Sequence, residues 1–94
     1  MRYLHTAEIH NLTAPRAVVP FILDSVRIKS VLDVGCGTGT WLKAFEENGI
    51  SDYLGIDGDY VNKSSLEIPE DKFVAFDLRQ PWDLKRRFDL VISL

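Results

Sequence analysis

The stretch Val31-Leu32-Asp33-Val34-Gly35-Cys36-Gly37-Thr38-Gly39-Thr40-Trp41-Leu42 constrains the fold of this chain more than any other. Val31, Leu32 and Val34 form the apolar, partly β-branched run of a strand covered on both faces, as in a parallel sheet. Glycines follow at three alternate positions. There the backbone can turn sharply and adopt φ values that a Cβ disfavours, and the main chain lies bare to a ligand. Thr38 or Thr40 is placed to cap the next helix, whose first N–H groups face back to the turn. A strand, a bare turn and a helix N-terminus in this order frame a nucleotide-type binding site.

The glycine spacing narrows the ligand. The dinucleotide fingerprint is G-x-G-x-x-G, whereas the chain has G-x-G-x-G with Thr40 where a further glycine would fall. Asp33 stands two residues before the first glycine, in a strand that would ordinarily be apolar there. A carboxylate at that point suits a cationic ligand group better than a pyrophosphate. Residues 31–39 resemble motif I of the class I S-adenosylmethionine-dependent methyltransferases throughout. The resemblance implies S-adenosylmethionine as cofactor, with its methionine end held by Asp33 and the backbone of Gly35 and Gly37. Cys36 is then the small residue inside the loop, and Gly39 completes the turn. The reaction implied is methyl transfer from a sulfonium to an N, O, C or S nucleophile of an unidentified acceptor. No catalytic residue is assigned.

The chain in order supports one α/β domain. Residues 14–28 carry a helical stripe of Val18, Val19, Ile22, Leu23 and Val26, with Pro15 at the first helical position. Pro20 should kink that helix or delay its start. A first strand is expected at about 30–35, and a helix at about 39–48 burying Trp41, Leu42, Ala44 and Phe45. Gly49 is suited to end that helix. A second strand covers 52–57, and an irregular helix about 59–66. Ile68 to Asp71 is a turn. A third strand is expected over 72–77, a loop or short helical turn from Arg79 to Arg87, and a fourth strand over 88–94. Strands alternating with crossovers make a parallel sheet, and right-handed connections leave few topologies. By the resemblance, the fold is a partial Rossmann-like three-layer sandwich, with the first four parallel strands in the order 3-2-1-4 and flanking helices. Residues 1–28 form an N-terminal arm and helix, and 29–94 the cofactor-binding core.

Carboxylates at strand ends carry the recognition. Asp57 lies 18 residues after Gly39, at the end of the second strand, beside the glycine turn of an open α/β sheet. It can accept two charge-assisted bonds from a ribose diol, with Gly58 next to it in the same wall and Asp59 as a second candidate partner. As a strand-end carboxylate, Asp57 is expected to matter for the ligand and little for the fold. Asp77 is expected to end the third strand. By the resemblance, it accepts from the adenine amino group while the Leu78 N–H reads a ring nitrogen. Asp89, near the start of the fourth strand, reads as structural.

Composition excludes several classes. A net charge of −3 gives no general electrostatic case for nucleic acid or an anionic membrane. Arg79, Lys85, Arg86 and Arg87 could touch a phosphate backbone, but four basic residues on an acidic chain read as a solvated loop. The lone cysteine excludes an intramolecular disulfide and a cysteine-cluster metal site. His5, Glu8 and His10 are weak metal evidence, and a solvated or substrate-proximal arm is the expectation, with no metal. No segment has the length of a membrane span, and the N-terminus lacks a signal-peptide core, so the cytoplasm is the expected location.

The family's sheet runs in the order 3-2-1-4-5-7-6, and this chain supplies its first four strands, so a domain truncated after the fourth is expected. That makes strand 88–94 an apolar edge able to pair with a second copy. Two other readings stay open. One is a non-catalytic cofactor-binding or assembly module. The other is an NAD-dependent oxidoreductase domain, against which the glycine spacing and Asp33 argue.

Overall fold

The computed structural model describes residues 12–93. The expectations for His5, Glu8, His10 and the N-terminal arm therefore lie outside the described residues, as does Leu94. Among the described residues the chain runs as α1 (Thr13–Ser25), β1 (Ser30–Val34), α2 (Thr40–Glu47), β2 (Asp52–Asp57), two 3₁₀ turns (Lys63–Ser65 and Glu70–Lys72), β3 (Phe73–Ala75) and β4 (Leu90–Ile92). The four strands form one parallel sheet in the order β3-β2-β1-β4.

The register follows from the sequence pattern. Val31 faces Tyr53 of β2 and Leu90 of β4, while Asp33 faces Gly55 and Ile92. In β1, Ser30 to Asp33 are all buried, as a central strand of a parallel sheet requires. The main core gathers Val19 of α1, Val31 of β1, Leu42, Ala44 and Phe45 of α2, Tyr53 of β2, Ile68 and Phe73. Phe45, Leu42, Ile56, Val19 and Val31 are the largest side chains with essentially no solvent contact. Full burial of such side chains contributes about 1.5–3 kcal/mol each. Gly55 lets α2 sit close on β2, since a Cβ there would lie 2.6 Å from Cys36 Sγ and 2.9 Å from Leu42 Cδ1. An exposed ion pair of Arg16 with Glu47, at 2.7 and 2.9 Å, joins α1 to α2.

Several expectations need correction. Pro20 does not delay α1, which starts at Thr13 and continues through it. Pro15 is therefore the third helical residue, still in the first turn, where a missing N–H costs no helical bond. Val18 and Val26 are exposed, so the buried stripe narrows to Val19, with Ile22 and Leu23 packed at its side. Neither Thr38 nor Thr40 caps α2. Its N-cap is Gly39 in the left-handed region, φ +89°, without a side-chain bond. The irregular helix shrinks to a 3₁₀ turn at Lys63–Ser65, held by the Asn62 side chain accepting the Ser64 N–H. β3 is three residues and stops before Asp77, because an exposed Asp77 bends back to Arg79 instead of extending the ladder. β4 is also three residues. Asp89 precedes it, accepting the Lys29 N–H at 2.7 Å and donating its own N–H to Ser30 Oγ at 2.8 Å. That exchange aligns β4 with the start of β1, in the structural role expected of Asp89. Gly49 ends α2 as expected, with φ +98°. No helix of the described residues is long and apolar enough to cross a membrane.

Candidate functional site

The glycine turn joins β1 to α2 over the end of β2. Its frame is backbone. The N–H groups of Gly35 and Cys36 both donate to the Ile56 carbonyl, at 2.8 and 3.1 Å. The Gly39 N–H donates to the Cys36 carbonyl at 3.0 Å, and the Glu67 N–H reaches the Thr38 carbonyl at 2.8 Å. Gly35, Gly37 and Gly39 all have positive φ, at +77°, +57° and +89°, which non-glycine residues adopt at a cost. Their surroundings differ. A Cβ at Gly35 or Gly37 would meet nothing within 4 Å, whereas one at Gly39 would lie 2.8 Å from Ile68 Cγ1. The first two glycines therefore leave open space, and the third makes room for the core.

Asp57 sits under this turn. It is 4% exposed. Its Oδ2 accepts the Gly37 N–H at 2.8 Å, and its Oδ1 accepts the Gly58 N–H at 2.7 Å together with the Tyr60 hydroxyl. Sequence reasoning placed Asp57 correctly at the end of β2 but misjudged its structural weight. It is a buried keystone between the turn and β2.

Asp33 lies on β1, 2% exposed, and its Oδ1 has no hydrogen-bond partner. Burial, with the nearby Asp57 charge as the lesser cause, pushes its carboxyl up to about 7. A buried carboxyl oxygen with no donor is costly, and it matches a cationic group on a ligand. Cys36 is buried, and burial pushes its thiol up to about 12, with Asp33 and Asp57 adding to the shift. That makes it a packing residue and not a thiolate nucleophile.

Beyond β2 the chain opens into a cavity of about 580 Å³, lined among others by Asp57, Gly58, Tyr60, Phe76, Asp77 and Leu78. The Phe76 N–H donates to the Asp57 carbonyl at 2.7 Å, which continues the β2–β3 pairing just past the strand and brings Asp77 and Leu78 to the cavity. Asp77 is paired with Arg79, whose Nε donates to Oδ1 at 3.0 Å and Nη2 to Oδ2 at 3.2 Å. That contact holds the Asp77 carboxyl below its ordinary range. Of the residues expected from the sequence, the structure brings Asp57, Gly58, Asp77 and Leu78 to the cavity wall, while Asp33, Gly35, Cys36, Gly37 and Gly39 do not line it and the turn is joined to it by the Gly37–Asp57 bond. Sequence reasoning missed Tyr60, Phe76 and the pairing of Arg79. Tyr60 is three residues past Asp57 and two past Gly58, which was the available signal. Of the basic residues, Arg79 pairs with Asp77, Lys85 with Asp83 and Arg86 with Asp52.

Comparisons with known proteins bear on the family and the fold. DesVI of Streptomyces venezuelae matches in structure at 26% identity and a TM-score of 0.66, covering 99% of this chain and 44% of that one. SAM-bound CalS10, an amino pentose methyltransferase of Micromonospora echinaspora involved in calicheamicin biosynthesis, matches at 24% identity and a TM-score of 0.67, over 100% of this chain and 43% of that one. The plantazolicin methyltransferase BpumL, in complex with SAH, matches at 20% identity and a TM-score of 0.57, over 87% and 34%. At their lower identities the last two speak for the fold alone, and this chain spans less than half the length of each of the three. No curated protein matches. A methyltransferase-domain family matches residues 4–94, nearly the whole chain, and the protein belongs to that family.

Proposed function

We propose that residues 1–94 form one domain, the cofactor-binding half of an S-adenosylmethionine-dependent methyltransferase. The observation that carries this reading is Asp57, a buried carboxylate that ties the glycine turn to the end of β2 at the mouth of the cavity. Bound S-adenosylmethionine would supply an electrophilic methyl on a positive sulfur. The chain's own residues fit that ligand. The unpartnered Oδ1 of Asp33 would receive the cationic methionine end, which fits a carboxyl left without a donor. Gly35 and Gly37, with open space where a Cβ would stand, would let backbone N–H groups approach it. Asp57 would accept from the ribose hydroxyls beside Gly58. Asp77 and the Leu78 N–H would read the adenine from the far wall. Together these contacts would hold the cofactor and its methyl in place, and such positioning is worth up to about 7–11 kcal/mol of barrier in favourable cases.

Calorimetry with S-adenosylmethionine, S-adenosylhomocysteine and NAD tests the reading. Binding of the sulfur nucleosides ahead of NAD is expected, and tighter binding of NAD would overturn it. A methyl acceptor, nucleic acid not being favoured, remains the other partner of this reading. At the sheet edge, β4 offers a strand for pairing, and we propose that 94-residue chains associate there as homodimers. The exposed Val91 of that strand supports this.

A further inference from the structure

We propose that Tyr60 is a built-in competitor for this site: its phenol occupies one of the two Asp57 oxygens, so a ribose diol that engages both oxygens must displace it. The inference rests on the reading above, that the site takes an adenosine ligand, and goes beyond it by assigning a residue that sets the affinity.

The geometry around Asp57 leaves little choice. Oδ2 accepts the Gly37 N–H at 2.8 Å and keeps one lone pair, enough for one ribose hydroxyl and not for two. Oδ1 already accepts the Gly58 N–H at 2.7 Å and the Tyr60 hydroxyl. A carboxylate oxygen has two in-plane lone-pair directions, so both on Oδ1 are taken. Of the donors, only the phenol is on a side chain free to rotate away. The two backbone N–H groups are part of the turn and of the β2 end. A ribose hydroxyl can therefore gain Oδ1 by replacing the phenol.

Tyr60 is built to stay there until displaced and then to leave at small cost. Its ring lies against Gly58, where a Cβ would come within 2.4 Å of Cε1. Only a glycine lets the ring lie so close to the backbone while the hydroxyl reaches back to the neighbouring carboxylate. Yet Tyr60 is 77% exposed, so leaving costs little buried apolar area. The hydrogen bond to Asp57 is the contact that holds it. That bond also raises the phenol above its ordinary range, with burial and the Asp57 charge as smaller causes.

The test compares the parent chain with Tyr60→Phe, an exposed substitution that leaves the core intact. S-adenosylhomocysteine is titrated into each by calorimetry. The variant, its Oδ1 freed of the phenol, is expected to bind about five- to tenfold tighter, less than a full hydrogen bond to a charged group because water takes the vacated position. An unchanged or weaker affinity would overturn the proposal, since a tyrosine that helps to hold the ligand gives that result. Tyrosine absorbance against pH provides a second readout, with the difference between parent and variant isolating Tyr60 from the other tyrosines. In the free parent its phenol should titrate above the ordinary value, and saturating S-adenosylhomocysteine should bring it down. A phenol that titrates alike with and without ligand would overturn the displacement. A failure of the functional reading looks different, because neither chain would then bind S-adenosylhomocysteine at all, and the competitor would fall with it. A parent that binds beside a variant that does not gain sinks the competitor alone.

Discussion

The Oδ2 of Asp57 accepts the N–H of Gly37 at 2.8 Å, joining the end of β2 to a turn 20 residues earlier in the chain. The same carboxylate holds the Gly58 N–H through Oδ1. One side chain thus fixes the backbone on both sides of the proposed ligand. This is why the expectation that Asp57 matters little for the fold does not survive the structure.

Asp57→Ala should therefore lower stability as well as ligand affinity. Removing the carboxylate strands partly buried N–H groups, at about 1–3 kcal/mol for the loss of such a partner. Asp57→Asn keeps an acceptor and should cost less. Urea denaturation of the three chains measures this, and a parent-like midpoint for the alanine variant would show that the turn stands without Asp57.

Asp33 predicts a pH dependence. An unfolded aspartate titrates near its ordinary value of 3.8, whereas burial holds the folded carboxyl at about 7. Between those values the folded state keeps a proton that the unfolded state has lost, so stability falls as pH rises through this window and levels off above it. At about 1.4 kcal/mol per pH unit the loss approaches about 4 kcal/mol at most. Asp33→Asn removes the titrating group. It should resemble the parent near pH 4 and exceed it in stability at pH 8, while binding S-adenosylmethionine more weakly for want of a charge. Melting temperatures of both chains across that range decide it. Parallel curves would mean that Asp33 is solvated or paired in solution.

How legible the site was depends on the kind of signal each residue gives. β2 is found at 52–57 as read, because Tyr53, Leu54 and Ile56 lie between turn residues and Asp57. The glycine turn was legible in the same way, whereas the sheet order and the pairing of Asp77 and Leu78 with Asp57 in one site came from the resemblance of residues 31–39 to motif I. β3 and β4 are shorter than read, since hydrophobic runs such as Phe88 to Leu94 show burial but not where a ladder stops. The helix cap was misread because Gly39 takes the left-handed region and turns the chain without a threonine bond. Tyr60 left no periodic trace. An exposed aromatic in a loop belongs to no stripe, and only the position of Asp57 in space gives it meaning.

Gly39→Ala should destabilise the chain through two effects at one site. The backbone there has φ +89°, and left-handed backbone costs a residue with a Cβ roughly 1–2 kcal/mol. The new methyl would also lie within 2.9 Å of both Ile68 Cγ1 and Cδ1. Ile68 is 4% exposed and belongs to the main core, so its side chain has little room to give. Pairing the change with Ile68→Val, which removes Cδ1, should recover part of the loss. Thermal denaturation of the single and double variants measures this. A double variant no better than the sum of the two single losses would show that the cost is backbone strain alone.

The last prediction concerns the sheet edge. In the order β3-β2-β1-β4, β4 has β1 on one side and no strand among the described residues on the other. Such an edge presents N–H and C=O groups that a further strand can pair with, and natural edges are usually blunted by charge, proline or a bulge. Leu90, Val91 and Ile92 carry none of these charges or prolines, and Val91 is 56% exposed. Two copies joined through β4 in an isologous contact would run antiparallel about a two-fold axis and extend the sheet. Val91→Lys places a charge on each copy near that axis without touching Leu90 or Ile92, which pack against the core. Light scattering across a concentration series should give a dimer for the parent and a monomer for the variant. A parent that stays monomeric at high concentration would remove β4 as an association edge. A variant that still dimerises would move the contact elsewhere on the surface.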